Sequence, residues 1–520
     1  MKNKFKKYFL AGIVIILIAL AILARFYKPG TLPSSLNRDE AALGYNAFLL
    51  KEVGLDEWGR PWSFSLESFG DYKLTGYPAT LVLAFNLLGE HDWVVRLPSL
   101  LASVWLLVIA YKISEMLKLK PILSLMVVFL LSTTPVFYFY SRVAYEAHLA
   151  LAFFLSGFYL VVKDLSAKKW LDKETVLGFI LLMVACLIYN TPLLILPSLF
   201  PVFFVLSKKV DKKTMTRWLG VILVMVFMVI ALWPVLTQKS GITIFTDETI
   251  WANWITQREG MQGLEKVIMG SKYVNWIKLM GGSFIDSFSY KFLVTEGGNH
   301  PWHSIPGWGH LSWTTYILGL IGMVSLGVKI KKKENKNRVA FLLLMLLSLA
   351  PAVVTVDAPH TTRSLVFIFG WVVMAGIGIE RVLSFNKISR ILLVLIMLLQ
   401  VNYFSSYLSS YWTNFKLEQK ATFQDGFEEV VAKVENDHPN TAVAIVDPSG
   451  YQYILLAWYL KMDPSLYLES NIRQLPDTIG MRYGEQVGRY HFIGDKADRI
   501  NDEKVLVEWN EKKKKWIIYE

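Results

Sequence analysis

Apolar residues along this chain gather into long blocks separated by short polar stretches, at 8–26, 94–113, 121–140, 146–162, 174–190, 191–206, 217–236, 312–330, 339–356, 365–382 and 390–409. A helix needs about 20 apolar residues to cross the hydrocarbon layer, so the pattern predicts an α-helical polytopic membrane protein with about eleven transmembrane helices. The segment from Thr75 to Gly89 is also apolar. Counting it as a span would invert every later loop, so it is read as a short helix lying in the outer interface. From Thr422 onward the pattern changes: Phe427 to Asn436 reads as an amphipathic helix, and Ala442 to Asp447, Tyr490 to Ile493, Val505 to Trp509 and Trp516 to Tyr519 read as strands.

Charge orients these spans. The chain carries a formal net charge of +12, and its cations fall in alternate loops, as the preference of short cytoplasmic loops for Lys and Arg requires. They are Lys2, Lys4, Lys6 and Lys7; Lys112, Lys118 and Lys120; Lys163, Lys168 and Lys169; Lys208, Lys209, Lys212 and Lys213; Lys329 and Lys331 to Lys333; and Arg381, Lys387 and Arg390. The N-terminus is therefore expected in the cytoplasm, and the loops 27–93, 141–145, 237–311 and 357–364 outside with the tail. Two domains follow: 1–410, holding the spans, and 411–520, a small extracytoplasmic α/β domain. The first block, ending near Ala19-Leu20-Ala21, also has the form of a signal peptide; it is read as a span because chemistry-bearing residues follow it directly.

Composition narrows the class. Hydrophobic residues make up 54% of the chain, and the basic excess lies beside membrane spans, which points to a bilayer and to no nucleic acid. The single cysteine, Cys186, sits inside an apolar block, leaving no disulfide framework and no thiolate metal site within one chain. No nucleotide-binding fingerprint occurs.

Candidate chemistry concentrates in the outer loops. Asn37-Arg38-Asp39-Glu40 opens an amphipathic stretch, so Asn37 is placed to cap a helix whose first turn carries two acids. Glu40 reads either as the partner in a capping box or as a second catalytic acid. Asp39 projects from the first turn, where the helix dipole favours a negative charge, and suits a general base. In Phe69-Gly70-Asp71-Tyr72-Lys73, Tyr72 and Lys73 lie where a lipid phosphate would sit; Lys73 reads as a phosphate ligand or as a snorkelling anchor. Arg142, Glu146 and His148 flank span ends, where charge is costly unless paired or facing a cavity. They are site candidates, or else Arg142 and Glu146 form a one-turn ion pair. His360 and Arg363 begin a span, and Arg363 is a second phosphate candidate. The run from Gly297 to His310 contains His300, Trp302, His303, Trp308 and His310. Three histidines admit a metal, but with only Glu296 as a nearby acid in the sequence, a sugar- or acceptor-facing loop using His303 and Trp308 is preferred, and the two tryptophans also read as interface anchors.

The pieces Asn37-Arg38-Asp39-Glu40-Ala41-Ala42-Leu43-Gly44-Tyr45-Asn46-Ala47, Trp58-Gly59-Arg60-Pro61, Phe69-Gly70-Asp71-Tyr72-Lys73, Val95-Arg96-Leu97-Pro98-Ser99, Ser141-Arg142 with Glu146, and Pro359-His360-Thr361-Thr362-Arg363-Ser364, in this order, resemble bacterial GT-C glycosyltransferases. The resemblance is to the protein O-mannosyltransferase and aminoarabinose-transferase-like families (glycosyltransferase family 39-like) and covers the whole membrane region. It implies a multi-span bundle with interfacial helices in the first outer loop, and a glycosyltransferase of the cell envelope acting at the extracytoplasmic membrane face. Such an enzyme moves a hexose or pentose from a polyprenyl phosphate to an acceptor hydroxyl of a lipid, protein or cell-wall polymer, with inversion. Asp39 matches the family's base, Glu40 its second acid and Lys73 a donor-phosphate position, while an acid in the loop after the third span favours Glu146. No cofactor is required by this reading, and a divalent metal is left open. A transporter or flippase for a lipid-linked or polar solute is the alternative; it calls for polar or broken helices at the bilayer midplane, whereas the charged candidates here lie at the outer face. A third reading is a structural or assembly subunit that keeps the fold without the activity, against which the intact Asp39-Glu40 pair argues.

Overall fold

Helices dominate the first four-fifths of the chain, and strands collect in its tail. The structure, a computed structural model, describes residues 2–163, 172–207, 210–239, 243–298, 300, 302–327, 335–384, 389–477, 480–500 and 502–520. Lys168, Lys169, Lys208, Lys209, Lys329, Lys331 to Lys333 and Lys387, used above to orient the spans, lie outside the described residues.

Among the described residues, seven helices are long and apolar enough to cross a membrane: Tyr8–Phe26, Asp92–Met116, Glu146–Lys163, Lys212–Ala231, Lys336–Val353, Thr362–Leu383 and Ile391–Glu418. An eighth is the pair Pro121–Ser132 and Pro135–Ser141, bent by 61°. The count of eleven is not reproduced, and prolines account for part of the difference. Pro192, Pro197 and Pro201 lack the amide that continues a helix, and the block expected at 191–206 is divided into Thr191–Ile195, a 3-10 turn Leu196–Ser198 and Leu199–Ser207. The stretches expected at 174–190 and 312–330 form the shorter helices Lys173–Ile188 and Trp313–Gly327. Gly76–Leu88 is a short apolar helix, where one lying in the interface was expected.

The chain divides into two compact units. The first comprises 1–26, 101–141 and 146–409. Its helices approach closely where side chains are absent: a Cβ on Gly322 would meet the Met374 carbonyl oxygen at 2.0 Å, so only glycine lets Trp313–Gly327 lie against Leu365–Leu383. Part of the buried polarity in this bundle is paired, although both ring nitrogens of the buried His148 lack a hydrogen-bond partner among the described residues. The Ser312 and Thr314 hydroxyls donate to Gln400 Oε1 at 2.6 and 2.8 Å, and Gln400 Nε2 donates to Thr133 Oγ1 at 2.9 Å. Among the described residues, the long loop at 237–311 carries the α-helices Glu248–Glu259, Gly263–Ile268 and Lys272–Asp286, none with a buried residue, and a π-helical turn Lys291–Thr295 that buries Phe292, Leu293 and Val294.

The second unit joins 27–100 and 142–145 to the tail from Ser410, so the loop expected to lie outside after the first span shares a unit with the C-terminal domain. In the loop part, a helix Arg38–Glu52 precedes an antiparallel hairpin of β1 (Ser65–Ser68) and β2 (Asp71–Leu74). The tail folds as a six-stranded sheet around β3 (Ala442–Val446), which is parallel to β6 (Tyr490–Ile493) on one side and to β7 (Glu503–Asn510) on the other. Antiparallel β5 (Gly484–Val487) and β4 (Ile472–Arg473) extend one edge, and β8 (Lys515–Tyr519) closes the other. Strands β4 and β5 were not expected from the sequence. The hairpin turns through Phe69 and Gly70, both with positive φ, as a two-residue turn of this hand requires. A Cβ on Gly70 would meet the Arg482 amide nitrogen at 2.7 Å.

Candidate functional site

The second unit holds one group of candidates. The Asn37 side chain accepts from the Asp39 and Glu40 amides at 2.9 and 3.0 Å, and Glu40 Oε2 accepts from the Asn37 amide at 3.1 Å, completing a capping box. Glu40 has further partners. Arg96, a residue the sequence reading left without a role, donates to it through Nε at 2.9 Å and Nη2 at 3.1 Å, and the Ala144 amide donates at 2.8 Å. Both side chains are 0% exposed. The other Arg96 donors go to the carbonyls of Pro29, Pro33 and Ser35, so all five guanidinium N–H groups are used. Arg142 is spent in the same way, donating to the Tyr27, Lys28 and Leu32 carbonyls and to the Tyr411 hydroxyl. These two arginines pin the chain that leads into Asn37.

Asp39, one residue before Glu40, is 29% exposed and accepts from Lys73 Nζ at 2.6 Å, while Lys73 is only 8% exposed. Its other oxygen lies 3.8 Å from Arg38 Nε. Lys73 reaches it because β2 alternates sides: Lys73 turns to Asp39 and the Phe69 ring, and the Tyr72 hydroxyl accepts from Arg60 at 2.8 Å. The structure therefore brings Asp39 and Lys73 together and gives Tyr72 a different partner. Beneath the hairpin, Glu57 is buried and accepts from Tyr453, Asn46, Ser68 and the Phe69 amide. Burial pushes its carboxyl up to about 7.

A second group lies in the first unit. Asp357 Oδ1 accepts from Arg363 Nη1 at 2.5 Å, while Oδ2 faces His360 Nε2 at 3.3 Å and His300 Nε2 at 3.5 Å. Asp357, three residues before His360, is the acid the sequence reading of the histidines lacked. His360 Nδ1 lies 3.0 Å from the Thr362 hydroxyl, and His303 Nδ1 lies 2.9 Å from the Tyr140 hydroxyl. The His303 ring is 5.3 Å from that of His360 and 5.6 Å from that of His300. His310 instead meets the Thr361 hydroxyl at 3.2 Å, and Trp308 packs edge-on against Tyr403 and Tyr407. Burial and the Arg363 charge hold His360 down at about 3. For Asp357, burial acts upward, but the His300 hydrogen bond and the Arg363 charge outweigh it and keep the carboxyl well below the usual range. Arg363 also borders a shallow apolar crevice whose walls include Leu151, Phe154, Pro192, Leu365 and Val366. Glu146 is half-buried at the first position of the helix Glu146–Lys163.

Comparison with known proteins agrees with this architecture. Residues 76–236 match the family model of dolichyl-phosphate-mannose-protein mannosyltransferases. No curated protein sequence matches the chain. Among solved structures, it is similar to ArnT from Cupriavidus metallidurans bound to undecaprenyl phosphate, with a TM-score of 0.53 and 11% identity over 86% of this chain and 85% of that one. It is also similar to the oligosaccharyltransferase AglB from Archaeoglobus fulgidus in complex with an inhibitory peptide and a dolichol-phosphate, with a TM-score of 0.51 and 11% identity over 88% of this chain. The match spans 64% of the length of AglB. The apolar helices make this a multi-pass membrane protein with a C-terminal sheet domain, and its fold is similar to that of ArnT and of AglB.

Proposed function

We propose that this chain is an integral membrane glycosyltransferase that moves a sugar from a polyprenyl-phosphate donor to an acceptor hydroxyl at the extracytoplasmic face, with inversion. Asp39 is the general base. The observation that carries the reading is the Asp39–Lys73 ion pair of 2.6 Å at the start of a rigidly capped helix. A base must be charged, partly open to solvent and held in place, and Asp39 meets all three conditions, whereas both oxygens of Glu40 are engaged in a closed site. Attack on the anomeric carbon passes through an oxocarbenium-like state, with a base on one face and a stabilised leaving phosphate on the other. When a donor phosphate binds, it competes for the Lys73 ammonium and leaves Asp39 free to take the acceptor proton. Arg363, which borders an apolar crevice in the first unit, is a separate phosphate candidate, its guanidinium suited to bidentate contact. Glu40 positions Asp39 through the cap, and Arg142 positions the chain before it. Lipid-phosphate ligands in the ArnT and AglB structures support the donor class.

A transporter is the competing reading, favoured by the 61° break between Pro121–Ser132 and Pro135–Ser141. The break is satisfied internally, since the Thr133 and Thr134 hydroxyls donate to the Phe129 and Leu130 carbonyls. The test is transfer from a panel of polyprenyl-phosphate sugars to endogenous acceptor in membranes. Asp39→Asn lowers kcat by about 10²–10⁴-fold, and Lys73→Met raises the donor KM. Undiminished transfer by folded Asp39→Asn removes the assignment.

A further inference from the structure

We propose that His300, Asp357 and His360 form a binding site for one divalent cation of the zinc class. The three side chains come from two segments, the end of the long loop and the stretch just before the span Thr362–Leu383, and each offers a ligand atom within 4.8 Å of the others.

The distances are long for hydrogen bonds and fit a shared cation. His360 Nε2 and His300 Nε2 stand 3.3 and 3.5 Å from the same carboxylate oxygen, longer than the 2.7–3.2 Å usual for an N–H···O bond. At a metal–ligand distance of about 2.1 Å, two adjacent corners of a tetrahedron lie about 3.4 Å apart. The two carboxylate–imidazole separations match that edge. The surroundings are those of a metal ligand set. The Thr362 hydroxyl sits on His360 Nδ1, which leaves Nε2 to carry the lone pair when Nδ1 holds the proton. Arg363 takes the other oxygen of Asp357, orienting the carboxylate so that Oδ2 faces the histidines. Two nitrogens and one oxygen leave a fourth position for water or a substrate oxygen, and the His303 ring, with its Nδ1 on the Tyr140 hydroxyl, borders it. A cation there ties the end of the long loop to the segment carrying Arg363.

The site shares Arg363 with the transfer reading and is therefore tested without activity. The full chain, purified in detergent through a tag free of histidine, is stripped with chelator, loaded with zinc chloride, desalted and assayed for metal by mass spectrometry. Cobalt chloride loading reports geometry through the visible d–d absorption of tetrahedral cobalt(II). Wild type retains stoichiometric zinc and shows the tetrahedral cobalt spectrum; His300→Gln, Asp357→Asn and His360→Ala each weaken retention by at least about tenfold. His300 is about one-third exposed, so His300→Gln keeps the fold and settles the matter even where a more buried variant does not. Zinc absent from loaded wild type, or stoichiometric zinc unchanged in monodisperse His300→Gln, overturns the site.

Discussion

Glu40→Gln removes a negative charge from a closed site and leaves the Arg96 guanidinium, itself fully buried, facing a neutral amide. Breaking a buried ion pair by removing one partner costs about 3–5 kcal/mol. At about 2–4 °C per kcal/mol for a domain of 150–250 residues, the melting temperature falls by about 6–20 °C. Asp39→Asn, one position earlier, breaks only the partly exposed Asp39–Lys73 pair; such a pair contributes about 0.2–1 kcal/mol, a shift of about 4 °C or less. Intrinsic tryptophan fluorescence during heating in detergent reads both, with transfer measured on the same preparations. The expected result is a dissociation: Asp39→Asn melts near wild type and has lost transfer, while Glu40→Gln melts early. In a double-mutant cycle, Glu40→Gln with Arg96→Met loses less than the sum of the single changes, by about 0.5–3 kcal/mol. Equal melting shifts for the two acids, or wild-type melting of Glu40→Gln, would refute the division of labour between them.

Other perturbations follow from the same geometry. Gly70→Ala places a Cβ at a residue with φ of 78° and 2.7 Å from the Arg482 amide nitrogen, so it loses more than about 1 kcal/mol, read as a lower melting temperature, and transfer falls as Lys73 shifts. Arg142→Lys cannot serve three carbonyls and a hydroxyl in a planar fork; each stranded buried acceptor costs about 1–3 kcal/mol, and the yield of monodisperse protein drops. Glu57 sets a pH dependence. Its folded value of about 7 lies above the usual carboxyl range near 4.3, so the folded state binds the extra proton between those limits. Stability is then greatest at the acid end, declines by up to about 1.4 kcal/mol per pH unit up to about pH 7, and is level above. Melting curves from pH 5 to 8 for wild type and Glu57→Gln check this, the slope disappearing in the variant.

What the sequence made legible was local. The cap at Asn37 depends on residues three apart, and the spans depend on runs of apolar residues, so both can be read from short windows. The span count was read less well, because hydropathy does not mark where a helix stops: the blocks at 191–206 and 312–330 are the shorter apolar helices Thr191–Ser207 and Trp313–Gly327. The β1–β2 hairpin was read only as a motif beside the interfacial helix: its turn rests on Phe69 and Gly70 taking positive φ, and phenylalanine gives no signal of that. The partners that decide roles lay far along the chain. Arg96 is 56 residues from Glu40, and without it the capping and catalytic readings of Glu40 stood level. Asp357 is 57 residues from His300, and a search for an acid within the histidine run found only Glu296. Both partners nevertheless belong to short runs with recognisable companions, Arg96 in Val95-Arg96-Leu97-Pro98-Ser99 and Asp357 three residues before His360. A charged residue flanking an apolar span must be neutralised or open to water, so each charge of this kind implies a partner of opposite sign in another outer loop. Pairing such charges before assigning chemistry would have joined Glu40 to an arginine and left Asp39, the acid more exposed to solvent, as the one able to take a proton from a substrate.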